Sequence, residues 1–177
     1  MGKIIAFANQ KGGVGKTTTA VNLSAALAYR TRGRVLLVDS DPQGNATSGL
    51  GINKREVKHS VYDVVLGNCG AKDAVIRTKY KNLDIMPSSI DLAAAEIELV
   101  DMENRALCLK NALAAVQKDY DYICIDCPPS LGLLTLNALA ACTSILVPIQ
   151  CEFYALEGLS QLMATVRTVK RLYNSYI

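Results

Sequence analysis

The chain has 177 residues, half of them hydrophobic and 20% charged, enough for one domain with an apolar core of its own. Nineteen Lys and Arg against 16 Asp and Glu give a formal charge of +3, too weak a bias to argue for nucleic acid from bulk electrostatics, so any such contact has to come from a local patch. Thr135 and Asn137 interrupt the richest apolar region short of the about 18 residues of a membrane span, and six irregularly spaced cysteines with no signal peptide in front read as free thiols of a cytoplasmic protein.

Short apolar runs alternate with helix-length segments. Ile4 to Ala8 reads as a strand, and Thr17 to Tyr29 as a helix with Ala20, Leu23, Ala26 and Leu27 on one face. Val35 to Val38 is the next strand; Gly44 to Lys58, rich in Gly, Asn, Ser and charge, is expected to be an irregular excursion before a short helix over Val61 to Leu66. Leu83 to Met86, Tyr122 to Ile125 and Ser144 to Ile149 are further strands, with helices over Ala106 to Val116, Leu133 to Ala141 and Ala155 to Tyr173. The last helix repeats Leu156, Leu159, Met163, Val166 and Val169 at helical spacing. Such alternation predicts an α/β fold, a mostly parallel twisted sheet with helices on both faces. Nothing marks an internal repeat or a second domain, so residues 1–177 read as one unit; it stops after a helix with no strand to follow, as a fold truncated at its C-terminus would.

Between the first strand and helix stands Asn9-Gln10-Lys11-Gly12-Gly13-Val14-Gly15-Lys16-Thr17-Thr18. Glycines let backbone N–H groups turn inward around an anion, and a helix N-terminus adds favourable partial charge. Gly12 to Thr18 would then cradle ATP phosphates, with Lys16 reaching the β- and γ-phosphates, the Thr17 hydroxyl on Mg²⁺ and Thr18 on the α-phosphate. Gln10 stands where the strict G-x-x-x-x-G-K-[ST] pattern wants its first glycine; the plain alternative is a glycine turn with an exposed lysine.

Two further segments carry acids at strand ends, where ligands bind in open parallel sheets. Val35 to Val38 runs into Asp39-Ser40-Asp41-Pro42-Gln43-Gly44, and Tyr122 to Ile125 runs into Asp126-Cys127-Pro128-Pro129-Ser130. A carboxylate at Asp126 can hold Mg²⁺ through water, since this ion keeps much of its hydration shell. The bland reading is an apolar strand simply emerging into solvent for the first and a capped strand end for the second. Cys124 and Cys127 share the C-x-x-C spacing of redox and zinc sites, but they bracket a strand end, and His59 has no companion ligands.

The extra lysine in Lys11-Gly12-Gly13-Val14-Gly15-Lys16-Thr17-Thr18 resembles the deviant Walker A loop of the ParA/MinD family of ATPases, which has the P-loop NTPase fold. The resemblance implies that Lys11 reaches across an ATP-dependent homodimer to the partner's phosphates. It also implies that Asp41 orients the attacking water, that Asp39 supports the Mg²⁺ shell and that Glu152 lies near nucleotide and dimer contacts, although a helix N-cap would equally explain an acid there. The segments Asp39 to Asn45 and Asp126 to Ser130 resemble the ParA/Soj chromosome- and plasmid-partitioning branch more than the MinD cell-division branch. That branch implies slow ATP hydrolysis stimulated by a ParB-like centromere-binding partner, non-specific DNA binding by the dimer on the nucleoid, and no membrane attachment. The family's fold continues beyond a helix like the last one here, with strands and helices that carry adenine contacts and much of the DNA surface. Other classes are a non-catalytic fragment that retains the motifs, or an iron–sulfur ATPase, for which neither Cys127 nor Cys142 fits the pattern.

Overall fold

The computed structural model describes residues 2–152 and 155–177. Its strands are β1 (Lys3–Phe7), β2 (Val35–Asp39), β3 (Ile76–Arg77), β4 (Leu83–Met86), β5 (Tyr122–Asp126) and β6 (Ser144–Leu146). Its α-helices are α1 (Lys16–Thr31), α2 (Asn45–Gly49), α3 (Val61–Leu66), α4 (Leu92–Glu98), α5 (Cys108–Ala114), α6 (Leu133–Ala141) and α7 (Ala155–Leu172). One six-stranded sheet runs β3-β4-β2-β5-β1-β6. Every pairing is parallel except β3 with β4. The predicted α/β class is the one observed.

Side chains alternate across the sheet with period two, and the two faces build two apolar layers. Ile4, Ala6, Leu36, Val38, Ile123 and Ile125 pack with residues of α3 to α7. Phe7, Val35, Leu37, Leu83, Ile85 and Cys124 pack with α1 and α2. All five residues of the central strand β2 are buried, which explains its unbroken apolar run.

Several local expectations change. The buried stripe of α1 is Ala20, Ser24 and Ala28, with Leu23 and Leu27 half-buried and Ala26 exposed. Small residues at i, i+4 and i+8 let the helix lie close to the strands, so the leucines flank the contact. The expected excursion from Gly44 to Lys58 contains α2 and a short 3₁₀ turn at Lys54–Glu56, because Ala46 and Thr47 are drawn into the interior. Strand β6 stops at Leu146, three residues before Ile149, since Pro148 cannot donate to a ladder. In α7 the expected Val169 is fully buried and Leu159 and Val166 are half-buried, whereas Leu156 is 70% and Met163 41% exposed and Leu162, outside the expected stripe, is fully buried, so the buried face is only partly the one the spacing suggests. The antiparallel β3, two residues long, and α4, with only Leu92 and Ala95 buried, lack a periodic signal long enough to predict.

Candidate functional site

The turn from β1 into α1 is shaped by two glycines in the left-handed region, Gly13 at φ 75° and Gly15 at φ 85°. A Cβ on Gly12, Gly13 or Gly15 would meet nothing within 4 Å. The glycines therefore serve the backbone path and border open space. Gly15 caps α1 with no side-chain hydrogen bond and no acid follows in the first turn, which leaves the first N–H groups of a 16-residue helix free for an anion. Val14 is buried and pins the loop, while Thr17 is half-buried and Thr18 exposed at its mouth.

Lys16 is buried, and its ammonium donates to the Lys11 carbonyl at 2.8 Å across the loop. Burial lowers its pKa; the nearby Asp126 and Asp41 carboxylates act the other way. Lys11 stands at the rim and is ion-paired to Glu152. The segment after β6 clasps the same loop: Asn9 donates through Nδ2 to Pro148 O at 2.8 Å and accepts from Lys11 N at 3.0 Å, and Gln150 Nε2 donates to Gly13 O at 3.2 Å. Glu152 is thus drawn to the loop by charge. The predicted Lys11, Lys16 and Glu152 do come together.

Parallel pairing brings the acids to the same sheet edge, since Asp39 of β2 and Phe7 of β1 are both register partners of Asp126 on β5. Asp39 is fully buried and accepts from Thr47 N at 2.7 Å and Thr47 Oγ1 at 2.6 Å. Burial nonetheless pushes its pKa up to about 6 against those bonds. Asp126 is also fully buried, and neither carboxylate oxygen has a hydrogen-bond partner among the described residues. Its pKa rises to about 7 through burial first, opposed by the Thr17 hydroxyl, which is near but short of hydrogen-bond geometry, and raised further by Asp39 and Asp41. Asp41 is 7% exposed, accepts from Gln43 N at 2.9 Å, and has its carbonyl held by Ser88 Oγ at 2.6 Å.

These orphaned oxygens fit a hydrated cation beside phosphates. Among the described residues no group of three or more His, Cys, Asp and Glu could hold a metal ion unaided; Mg²⁺ is usually bound by one or two carboxylates plus substrate phosphates and water. Cys124 and Cys127 belong to opposite apolar layers, and burial pushes the Cys124 thiol up to about 11, so the C-x-x-C is core packing. His59 is exposed.

Sequence reasoning misses the supports of the site. Asn9 and Gln150 sit beside the motifs, and the buried Asn9 amide is a usable signal, whereas Gln150 is exposed; nothing in the sequence ties Ser88 to Asp41, 47 positions away. Thr47 also accepts from Ser88 N at 3.0 Å, so its hydroxyl joins three segments. Thr47→Val is isosteric but takes the hydroxyl bond from the buried Asp39 carboxylate, which keeps the backbone one, and leaves the buried Ser88 N–H unpaired; we expect a loss of about 2–3 kcal/mol in urea unfolding, against about 1 kcal/mol or less for Thr47→Ser. Equal losses for the two variants would assign Thr47 a packing role alone.

A phosphate loop between a strand and a helix, with acid-tipped strands beside it on a parallel sheet, defines a P-loop nucleotide-binding protein. Residues 2–177 match the AAA_31 family, an AAA domain. The chain belongs to this family, in its ParA/Soj partitioning-ATPase group. It is 61% identical over 175 residues to the sporulation initiation inhibitor protein Soj of Bacillus subtilis, covering 99% of this chain and 69% of that one. It is 54% identical to the chromosome partitioning protein ParA of Myxococcus xanthus, covering 98% of this chain and 61% of that protein. Among solved structures, a cobyrinic acid a,c-diamide synthase from Mycobacterium smegmatis with bound ATP analog and magnesium superimposes with a TM-score of 0.95 at 44% identity, over 99% of this chain and 71% of that one. Among the described residues no helix is long and apolar enough to cross a membrane.

Proposed function

We propose that residues 1–177 form one domain that binds ATP with Mg²⁺, dimerises on doing so and hydrolyses the nucleotide slowly to drive chromosome or plasmid partitioning. The observation that carries this reading is the open, glycine-shaped turn at the α1 N-terminus beside the buried Asp126 carboxylate, whose two oxygens are unpartnered among the described residues. The N–H groups from Gly12 to Thr18 bind the phosphates, and Lys16 is held at the β- and γ-positions in a low-dielectric setting that strengthens its pull. Thr17, Asp126 and Asp39 would hold Mg²⁺, the last two through water, and the ion when bound neutralises phosphate charge. Asp41 orients the attacking water. Lys11 leaves Glu152 to reach the phosphates bound by the other copy, and Glu152 stays at the nucleotide and dimer contact.

The ParA/Soj relatives support a cytoplasmic, nucleoid-associated role with a ParB-like centromere-binding protein as activator and non-specific DNA as the track. The test is phosphate release with ATP binding measured separately. Asp41→Ala is expected to lower Mg²⁺-dependent turnover about 10²-fold or more while ATP affinity stays within a few-fold, because its carboxylate touches water and not the phosphate cradle. Equal turnover in the two proteins would remove Asp41 from the chemistry. A wild type that binds no ATP would identify the chain as a fragment that keeps only the motifs.

A further inference from the structure

Helix α6 begins without a cap of its own. Its N-cap is Gly132, and no acid stands in its first turn. The Leu133 N–H donates instead to Glu96 Oε2 at 2.7 Å and the Leu134 N–H to Glu96 Oε1 at 3.2 Å, the acceptor being a residue of α4 that lies 37 positions before Leu133. Both oxygens of one carboxylate thus take up N–H groups that a helix start leaves free, and its charge faces the positive end of the helix. Among the described residues Glu96 forms no salt bridge. Gly132 is part of the same device. Its φ of −73° and ψ of −170° suit any residue, yet a Cβ there would lie 2.5 Å from Glu96 Oε1 and 2.7 Å from Oε2. The glycine is needed for the room it leaves and not for its backbone.

Both ends of α4 reach the candidate site. Just before it, Ser88 Oγ donates to Asp41 O at 2.6 Å and Ser88 N to Thr47 Oγ1 at 3.0 Å, the same hydroxyl that donates to Asp39. The turn that follows is bonded into the helix, Leu92 N donating to Ser89 O at 3.1 Å and Ala94 N to Asp91 O at 2.8 Å. Leu92, Ala95 and Leu99 are fully buried in the apolar layer that also holds Leu134 and Ala138 of α6. Glu96 then holds the start of α6. Between that start and Asp126 lie only Cys127, Pro128, Pro129, Ser130 and Leu131. Cys127 N is anchored to Phe7 O at 3.2 Å, Thr135 Oγ1 donates to Ser130 O at 2.7 Å, and the two prolines have a fixed φ and no N–H to bond. A segment this short and stiff passes a shift of α6 on to the strand end that carries Asp126.

We propose that Glu96 is a positioning residue for ATP hydrolysis: by holding α6 it fixes the segment from Asp126 to Gly132 relative to Asp41, which the other end of α4 holds through Ser88. This rests on the ATPase reading of the site and adds to it a residue outside the phosphate loop and the strand tips. The Glu96 carboxylate is engaged by two backbone N–H groups, so it acts through what it places. Asp126 would hold the cation through water and Asp41 the attacking water, and the two therefore need a set separation. Misplacements of about 1 Å in such an arrangement cost up to about 10²-fold in rate. A carboxylate suits the task better than an amide, which offers a single acceptor oxygen where two N–H groups wait.

The test measures, on the whole chain, ATP turnover at saturating nucleotide, ATP affinity, and amide hydrogen exchange without nucleotide. Glu96→Gln, close in shape but short of one acceptor, is expected to lower turnover about tenfold while ATP affinity stays within about twofold, and to speed exchange at Leu133 and Leu134. Gly132→Ala is expected to do the same, since its methyl drives the carboxylate away with Glu96 itself unchanged. In Glu96→Ala/Gly132→Ala the methyl meets no carboxylate, so turnover should be no lower than in Glu96→Ala alone; independent sites would instead multiply to a loss of about a hundredfold. The control Glu98→Gln, on the same helix and bonded to Tyr62 OH at 3.1 Å, should turn over like wild type. Rates are taken well below each variant's melting temperature, and where Glu96→Ala does not fold, Glu96→Gln and Gly132→Ala decide by themselves. A cap that only stabilises would speed exchange and lower the melting temperature with turnover unchanged, and that result overturns the proposal. Unchanged exchange at Leu133 and Leu134, multiplied losses, or an equal loss in Glu98→Gln overturn it as well. A wild type that binds ATP without hydrolysing it removes the ATPase reading, and the proposal with it; the two failures are told apart because only this one leaves the wild type itself inactive.

Discussion

Lys11→Ala is expected to lower ATP turnover by about 10³-fold or more and to change folding stability by less than about 1 kcal/mol. The stability half follows from exposure: the Lys11 and Glu152 side chains are 35% and 41% exposed, so their ion pair is screened and contributes little to the fold. The catalytic half follows from the proposed dimer, in which this ammonium meets transition-state charge on the other copy's nucleotide, where a trans-acting cation contributes on the order of 4–7 kcal/mol. Sedimentation with ATP and Mg²⁺ should still show a dimer for the variant. A mixing experiment locates the lysine. In a mixed dimer of Lys11→Ala and Asp41→Ala chains, one site holds an intact Asp41 and receives an intact Lys11 from across the interface. An equal mixture should therefore recover up to about a quarter of wild-type turnover, half the dimers being mixed with one competent site of two. A lysine that acts within its own chain gives no recovery, and that result would sink the trans assignment.

Asp126→Asn is expected to raise the melting temperature of the nucleotide-free chain at pH 8, to leave it nearly unchanged at pH 5, and to abolish the extra stabilisation by ATP with Mg²⁺. Burial raises the folded-state pKa of Asp39 to about 6 and that of Asp126 to about 7, from 3.8 for a free side chain. The folded chain therefore holds protons that the unfolded chain has released. Stability from these groups is full below about pH 4 and is lost as pH rises through about 6 and then about 7. At pH 8 an ionised Asp126 sits buried without a hydrogen bond, and asparagine removes the charge. After the cost of burying an unpaired amide, a gain on the order of 2 kcal/mol remains, about 4–8 °C for a domain of this size. A fall in melting temperature at pH 8 would show that Lys16 outweighs burial at this carboxylate. The site keeps charged oxygens unpartnered at a cost to the apo fold, in the place where the proposed function needs a cation.

The legible parts of this protein are those encoded by neighbours in the chain. Strands β2, β4 and β5 and helix α6 fall where their apolar runs put them, because a buried strand or helix is apolar over its own length. Boundaries slipped where a distant partner decided them: Thr47 helps turn the expected excursion after Asp41 into a helix by donating to Asp39, and Pro148 leaves the sheet where Asn9 takes its carbonyl. The buried face of α7 was only partly readable from spacing, which placed Val169 on it, since Leu156 and Leu162 are equally apolar and only the packing on α6 separates them.

By itself the sequence determined the phosphate loop. Gly13 and Gly15 permit the left-handed turns, and Lys11, Lys16 and Thr17 follow at spacings set by one strand end and one helix start, all local and covalently adjacent. Only the tertiary structure decided the condition of the acids that face it. Asp39 and Asp126 lie 87 positions apart, and parallel pairing of β2 with β5 sets them side by side and takes both out of water. Whether a carboxylate there is solvated, hydrogen-bonded or left bare depends on the dielectric and partners supplied by the rest of the fold.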